Sequence, residues 1–252
     1  MIETVDYLLY EELSFNAHPA LQTQFYDGWI LRFANGYTNR ANSINLIYPS
    51  AIDLKIKIAE CEKRYFMHGL PAAYKLLDCY SANIDRALEE NGYDKIMPTY
   101  VMEAKLQNKY SLSGDSVVTD YADDEWLEAY FAFSKYYESV KITTAKQIHD
   151  NVKNVMFCAR LVKDGISAAC GSAVIERGYA GLLNIVVDEA RRGSGYGREL
   201  CETLLAEAIR RGAHTAYLQV LQDNEIAVNL YKKLGFKKIY SYWYRVKKSK
   251  NY

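Results

Sequence analysis

The chain has 252 residues, half of them apolar, and 31 basic residues balance 31 acidic ones to a formal net charge of zero. That length suits one large or two small domains with ordinary cores, and a neutral chain argues against a general nucleic-acid partner, which needs a basic surface to neutralise phosphates. Five cysteines without a C-x-x-C pair read as reduced thiols, and four scattered histidines without ligand spacing argue against a metal site.

The opening MIETVDYLLYEEL is acidic and lacks a basic region ahead of an apolar core, so no secretory signal is expected. No apolar run reaches the ~20 residues of a membrane span, so a cytoplasmic protein with no membrane partner is expected. Residues 7–13 read as helical, Pro19 as a turn, and Trp29–Phe33 as a strand introduced by Asp27 and Gly28. Asn35 and Gly36 give a hairpin-type signal before an extended run over 43–48. Pro49 and Ser50 open a long amphipathic helix ending near Gly69. Residues 73–77 are strand-like, 83–90 helical up to Gly92, and 96–106 extended. The polar stretch 108–114 makes the best linker, dividing the chain into 1–107 and 115–252.

Beyond it, 116–121 is extended, Asp123 or Asp124 caps a helix through Phe133, and Thr143 caps another to about Val152. Strands over 154–162 and 167–175 meet in a hairpin at Lys163, Asp164 and Gly165. Arg177 and Gly178 then turn the chain into LLNIVV, 182–187, an apolar run that suits a strand buried on both faces. A turn with glycines at 193, 195 and 197 follows. From Arg198, the positions Leu200, Leu204, Leu205, Ala208 and Ile209 recur at helical spacing. The chain closes with a strand at 216–220, a helix over 224–234 stopped by Gly235, and an alternating tyrosine-rich strand, 236–246.

The two ends of the chain repeat one another. A shift of 143 positions lays Gly69 on Gly212, Tyr74 on Tyr217, Gly92 on Gly235 and Ile96 on Ile239 without a gap. Two copies of one fold are expected. The glycine turn has no counterpart in the first copy, where the same shift brings Ser50 and Leu54 to its ends, and Tyr231 falls on Leu88.

No Ser, Thr, Asp or Asn stands where the helix after the glycine turn needs its N-cap, so its first amides want an acceptor. Glycines let a phosphate approach the backbone, and the helix dipole adds about half a positive charge there. Arg191, Arg192 and Arg198 add full charges. An ordinary glycine turn would satisfy the same pattern. A Walker A loop fails because Arg198 and Glu199 follow the last glycine, and the dinucleotide fingerprint fails for want of a third glycine at 198.

What remains is Arg192, Gly193, Ser194, Gly195, Tyr196, Gly197, an R-x-x-G-x-G between strand and helix. It resembles the pyrophosphate loop of the GNAT superfamily of acyl-CoA-dependent N-acyltransferases. Asn224, Ala227, Leu230, Tyr231, Gly235 and Phe236 are similar to that superfamily's N-x-x-A-x-x-x-Y-x-x-x-G-F segment. Gly28 to Ile44, GWILRFANGYTNRANSI, is similar to bacterial proteins with a degenerate GNAT-like half ahead of an active one. The resemblance implies an α/β fold of two GNAT-like domains, each a mixed central sheet flanked by helices.

It further implies acetyl-CoA as co-substrate, no metal, and an amine acceptor as the other partner. The main chains of Ile185, Val186 and Val187 would hold the thioester, and residues 192–198 (Arg192, Gly193, Ser194, Gly195, Tyr196, Gly197 and Arg198) the diphosphate. Asn224 and Ala227 would contact the coenzyme, and Tyr231 would protonate the departing thiolate. A phenol with a pKa near 10 suits that task, although Tyr231 shares a helix face with Ala227 and Leu234 and would also serve as a core residue. No base is visible: Asn184 occupies the middle of the strand, leaving Glu176 and Asp188. The other reading is a non-catalytic acyl-CoA-binding sensor or scaffold. The acceptor's identity and the oligomeric state are not legible in the sequence.

Overall fold

The computed structural model describes residues 6–79 and 81–249. Residues 1–5, at the head of the expected first domain, Tyr80, and 250–252, at the end of the second, lie outside that description.

The first half runs α1 (Tyr7–Ala17), β1 (Gln22–Tyr26), β2 (Trp29–Phe33), β3 (Ile44–Leu46), α2 (Leu54–Met67), β4 (Ala72–Leu77), α3 (Ala82–Glu90) and β5 (Asp94–Lys105). The second runs β6 (Ser116–Thr119), α4 (Asp124–Ser134), α5 (Ser139–Asp150), β7 (Val155–Lys163), β8 (Ile166–Glu176), β9 (Tyr179–Val187), a 3-10 turn (Glu189–Arg191), α6 (Tyr196–Arg210), β10 (Thr215–Leu221), α7 (Glu225–Lys233) and β11 (Lys237–Lys247). The repeat is literal: a shift of 143 carries α3 onto α7 end for end and places β4 on the first six residues of β10.

Among the described residues, eleven strands form one mixed α/β sheet in the order β1-β2-β3-β4-β11-β5-β10-β9-β8-β7-β6. Each half contributes one parallel pair, β3 with β4 through Ile44↔Tyr74 and β9 with β10 through Leu218↔Leu182. The last strands are exchanged. β11 lies against β4 of the first half, and β5 lies against β10 of the second, with β5 and β11 antiparallel at the centre. Neither half therefore completes its sheet alone, and the exchange covers edges that would otherwise expose unpaired backbone groups.

Tyrosines gather at this seam. Tyr10, Tyr217, Tyr240, Tyr242 and Tyr244 form one buried cluster with Leu13, Leu77 and Val101. Three of their hydroxyls meet polar groups beside them: Tyr240 donates to Glu11 at 2.9 Å, Tyr242 to Gln219 at 2.8 Å, and Tyr10 to Glu103. An apolar ring with a polar tip suits an interface that also encloses the Lys75–Glu11 ion pair at 2.6 Å.

Several expectations need correction. The polar strand β1 gives no apolar alternation and is not expected from the sequence; Asp27 and Gly28, both at positive φ, introduce β2 as expected, but as the turn of a hairpin with β1. Asn35 and Gly36 lie in a long loop, 34–43, and make no tight hairpin. α2 starts at Leu54, capped by Asp53, because the Asp27 carboxylate takes the Ser50 hydroxyl and the amides of Ala51 and Ile52 and holds that stretch as a turn. Thr143 lies inside α5, which begins at Ser139. β9 begins three residues before Leu182, and only its first part is buried; residues 183–187 are half-exposed.

No helix among the described residues is long and apolar enough to cross a membrane.

Candidate active site

β9 and β10 pair from Tyr179↔Thr215 to Leu182↔Leu218 and then part. β9 continues to Val187 and β10 to Leu221, the latter still held by β5 on its other side. The cause is local. Against β8, Leu183 opposes Ser172 and Val186 opposes Cys170, so Asn184 and Ile185 together face Gly171. This is a bulge, and Asn184 sits in it at φ 55, a left-handed conformation that asparagine tolerates better than the β-branched residues beyond it. The kink turns the main chain of Ile185, Val186 and Val187 away from β10, leaving their β10-facing edge outside the ladder.

The chain then enters the 3-10 turn, capped by Asp188, which accepts from the Ala190 amide at 3.1 Å. Gly193 and Gly195 both adopt positive φ, and Gly195 is the N-cap of α6 with no side-chain cap hydrogen bond. α6 opens at Tyr196, two residues before its apolar pattern begins. Among the described residues, the amides of Gly193, Ser194, Gly195, Tyr196 and Gly197 donate to no other group of the chain. The side chains of Arg192 and Arg198 are more than half exposed beside Glu189 and Glu202. Leu200, Leu204, Leu205 and Ala208 bury the opposite side of α6 in the core under β7, β8 and β9.

The first copy differs at this point. The matching helix N-terminus, that of α2, is filled by the Asp53 carboxylate, which accepts from the amides of Lys55 and Ile56 at 3.0 and 3.3 Å. A side-chain anion occupies there the place that α6 leaves open.

α7 approaches the same end. A methyl group on Gly197 would meet Val187 at 3.4 Å and Leu230 at 3.6 Å, so this glycine lies where α6, β9 and α7 converge. Asn224 caps α7, accepting from the Ala227 amide at 3.2 Å, and Ala227 packs partly buried against the core. Tyr231 is buried with its ring edge-on to Phe236 at 5.9 Å. Burial, then the nearby Cys201 thiol, pushes its phenol above its ordinary value. Among the described residues no hydrogen bond reaches its hydroxyl.

Where β9 and β10 part, a narrow cleft opens on the face covered by α1. It is lined by Ser14, His18, Arg40, Leu183, Tyr217 and Gln219. Sequence reasoning assigned no role to His18, Arg40 or Gln219, which come from elements far apart in the chain. Asn184, beside the cleft, is fixed on both sides: its Nδ2 donates to Ser172 Oγ at 3.3 Å, and its Oδ1 accepts from Tyr130, whose hydroxyl lies 3.0 Å from that of Tyr37. A larger surface groove, lined by Leu112, Asp120, Glu207 and Arg211, lies at the far end of α6, away from the glycine turn. Its charges are spent on one another, Arg211 pairing with both Asp120 and Glu207 at 2.6 Å.

The two base candidates separate. Glu176 pairs with Tyr179 at the closed end of β9 and accepts from Asn16 and Asn154. Asp188 follows Val187 and caps the 3-10 turn. Among the described residues, no group of three His, Cys, Asp or Glu side chains could hold a metal ion.

A parallel pair that parts over an uncapped glycine turn, with a tyrosine helix closing the same end, defines an N-acetyltransferase of the GNAT superfamily. Residues 8–245 match the family described as "Probable histone acetyltransferase Rv0428c C-terminal", and the chain belongs to that family. It is similar to an uncharacterized N-acetyltransferase, YobR, of Bacillus subtilis, at 28% identity over 245 residues, 94% of this chain and 97% of that one. It is also similar to the [ribosomal protein bS18]-alanine N-acetyltransferase of Escherichia coli, at 38% identity over 77 residues, 31% of this chain and 52% of that one. In fold it is similar to a GCN5-related N-acetyltransferase from Kribbella flavida, with a TM-score of 0.69 at 12% identity over 96% of this chain and 95% of that one.

Proposed function

We propose that the chain transfers the acetyl group of acetyl-CoA to a primary amine by direct attack. The observation that carries this reading is the juxtaposition of the open edge of β9 with the uncapped start of α6: one offers main-chain groups to a thioester arm, the other amides to a diphosphate. The coenzyme would enter on the α6 side, and the acceptor through the cleft beneath α1.

The amine nitrogen attacks the thioester carbonyl, whose oxygen is polarised by main-chain amide donors on β9. The C–N bond forms, the C–S bond breaks, and the thiolate takes a proton from Tyr231. The amine's own proton passes to solvent, and solvent returns one to the Tyr231 phenolate. The two carboxylates nearest in sequence are engaged, Glu176 with Asn16 and Asn154 and Asp188 with the Ala190 amide, so in this account the nucleophile arrives neutral. In this account spans 1–107 and 115–252 are two copies of one fold, joined by 108–114. The first has lost the diphosphate site to Asp53 and serves the second by supplying α1, Arg40 and β5.

The test is direct. The full chain, incubated with acetyl-CoA and a panel of amines, should release free thiol in step with an N-acetylated product. Coenzyme binding with no amine acetylated would instead support a sensor or scaffold.

A further inference from the structure

The loop 34–43, between β2 and β3, is more ordered than its length suggests. Asn42 staples it, accepting from the amides of Ala34 and Gly36 at 2.7 and 3.0 Å and donating to the Thr38 carbonyl at 2.8 Å. Arg32 grips it from beneath. This buried guanidinium donates to the carbonyls of Arg40 at 2.7 Å and His18 at 2.5 Å, tying the loop to the end of α1. The backbone of Arg40 is thereby fixed at the mouth of the cleft where β9 and β10 part.

Its side chain is half-buried there, and among the described residues it makes no ion pair or hydrogen bond. The charges around it leave it without an anion. Glu11, on α1, is closed off by Lys75 at 2.6 Å and by Tyr240. Glu103, on β5, receives Tyr10, and Glu176, on β8, receives Asn16 and Asn154. Arg32 is met by carbonyl oxygens, so its charge adds to that of Arg40 rather than offsetting it. His18, held neutral by burial and then by Arg40 and Arg32, supplies no charge of its own at neutral pH.

From this geometry, and resting on the acetyl-transfer reading, we infer that Arg40 anchors a carboxylate on the acceptor, so that the substrates are amines bearing a carboxylate, amino acids above all. A guanidinium offers a fork of donors that fits a carboxylate in two parallel hydrogen bonds. A polyamine would bring further positive charge against Arg40 and Arg32, while Glu11, Glu103 and Glu176 are already engaged. The same chemistry could come from a free amino acid or from an acidic side chain near a peptide's amino terminus.

The test compares free amino acids, their carboxamides, short peptides with aspartate at the second position, and spermidine, all with the full chain and acetyl-CoA. The acid should exceed its amide in kcat/KM by about 10- to 100-fold, the range expected of a charge-assisted hydrogen bond, and the difference should lie in KM. The Asp peptide, set against the free acid, shows which source is preferred. Arg40→Gln should collapse the ratio towards one and Arg40→Lys restore part of it, with thermal melting and coenzyme affinity reporting that each variant is folded. Calorimetric titration of amino acid and amide into the CoA-loaded protein reads the same preference without turnover. Equal binding of acid and amide, or a loss in Arg40→Gln shared equally by both, overturns the assignment of Arg40. A preserved acid preference in binding with no acetylated product overturns the transfer reading and leaves Arg40 as a carboxylate site.

Discussion

The side-chain Nδ2 of Asn184 donates to the hydroxyl of Ser172 across the β8–β9 bulge at 3.3 Å, while Asn184 itself is held at φ 55. This pair fixes the point at which β9 leaves β10, because the residues beyond it are the ones that lie outside the parallel ladder.

Asn184→Val should therefore separate the bulge from the fold. A β-branched residue in the left-handed region costs about 1–2 kcal/mol, a loss of a few degrees in Tm for a chain this long. Activity should fall at least ~10-fold, since main-chain misplacement near the reacting atoms is felt strongly. Asn184→Gly, which adopts positive φ freely, should keep most of it. Thermal melts and steady-state kinetics on both variants check this, and Asn184→Val at full activity would remove the bulge from the account.

Tyr231→Phe should lower kcat by about 100-fold, the lower range for a lost general acid, with coenzyme affinity unchanged. The pH profile carries a sign. Burial holds the phenol above its ordinary value, so the acid stays protonated through neutral and mildly alkaline solution, and kcat should not decline between pH 7 and about 10. A descending limb in that window that vanishes in Tyr231→Phe would mean the phenol ionises much earlier than its buried position allows.

The exchange of β5 and β11 makes the halves interdependent. Residues 1–107 made alone would leave β4 without β11, and 108–252 alone would leave β10 without β5. Each fragment should aggregate or remain unfolded, and the two produced together should yield one folded species by circular dichroism and size-exclusion chromatography. A soluble, cooperatively melting fragment of either half would contradict the exchange.

Much of this was legible in the sequence where local chemistry decides the outcome. The missing cap before Arg198 is the open Gly195 terminus, and the gapless shift between Gly69 and Gly212 is the repeat of β4, α3 and β5 in β10, α7 and β11. What could not be read depends on partners distant in the chain. LLNIVV reads as a buried strand because its side chains are apolar, yet the positive φ of Asn184 and the parting of β10 leave its second half exposed. Ser50 reads as a helix start until Asp27, 23 residues earlier, takes its hydroxyl. The strand exchange leaves no trace in periodicity, since β5 and β11 would alternate in the same way beside either neighbour. Arg40 lay within the stretch from Gly28 to Ile44, but only the folded chain brings it to Leu183 and Gln219.

The most direct measurement is calorimetric titration of the full chain with coenzyme A, with pantetheine, which lacks the diphosphate, and with coenzyme A again on Gly195→Ala. Gly195 sits at φ 83 with open space around it, so the substitution strains the turn that presents the amides without disturbing the core. The account predicts saturable coenzyme A binding, at least ~10-fold weaker binding of pantetheine, and a similar loss in Gly195→Ala, the scale of one or two lost charge-assisted hydrogen bonds. Equal affinity for coenzyme A and pantetheine, or no binding of coenzyme A to folded protein, would contradict it.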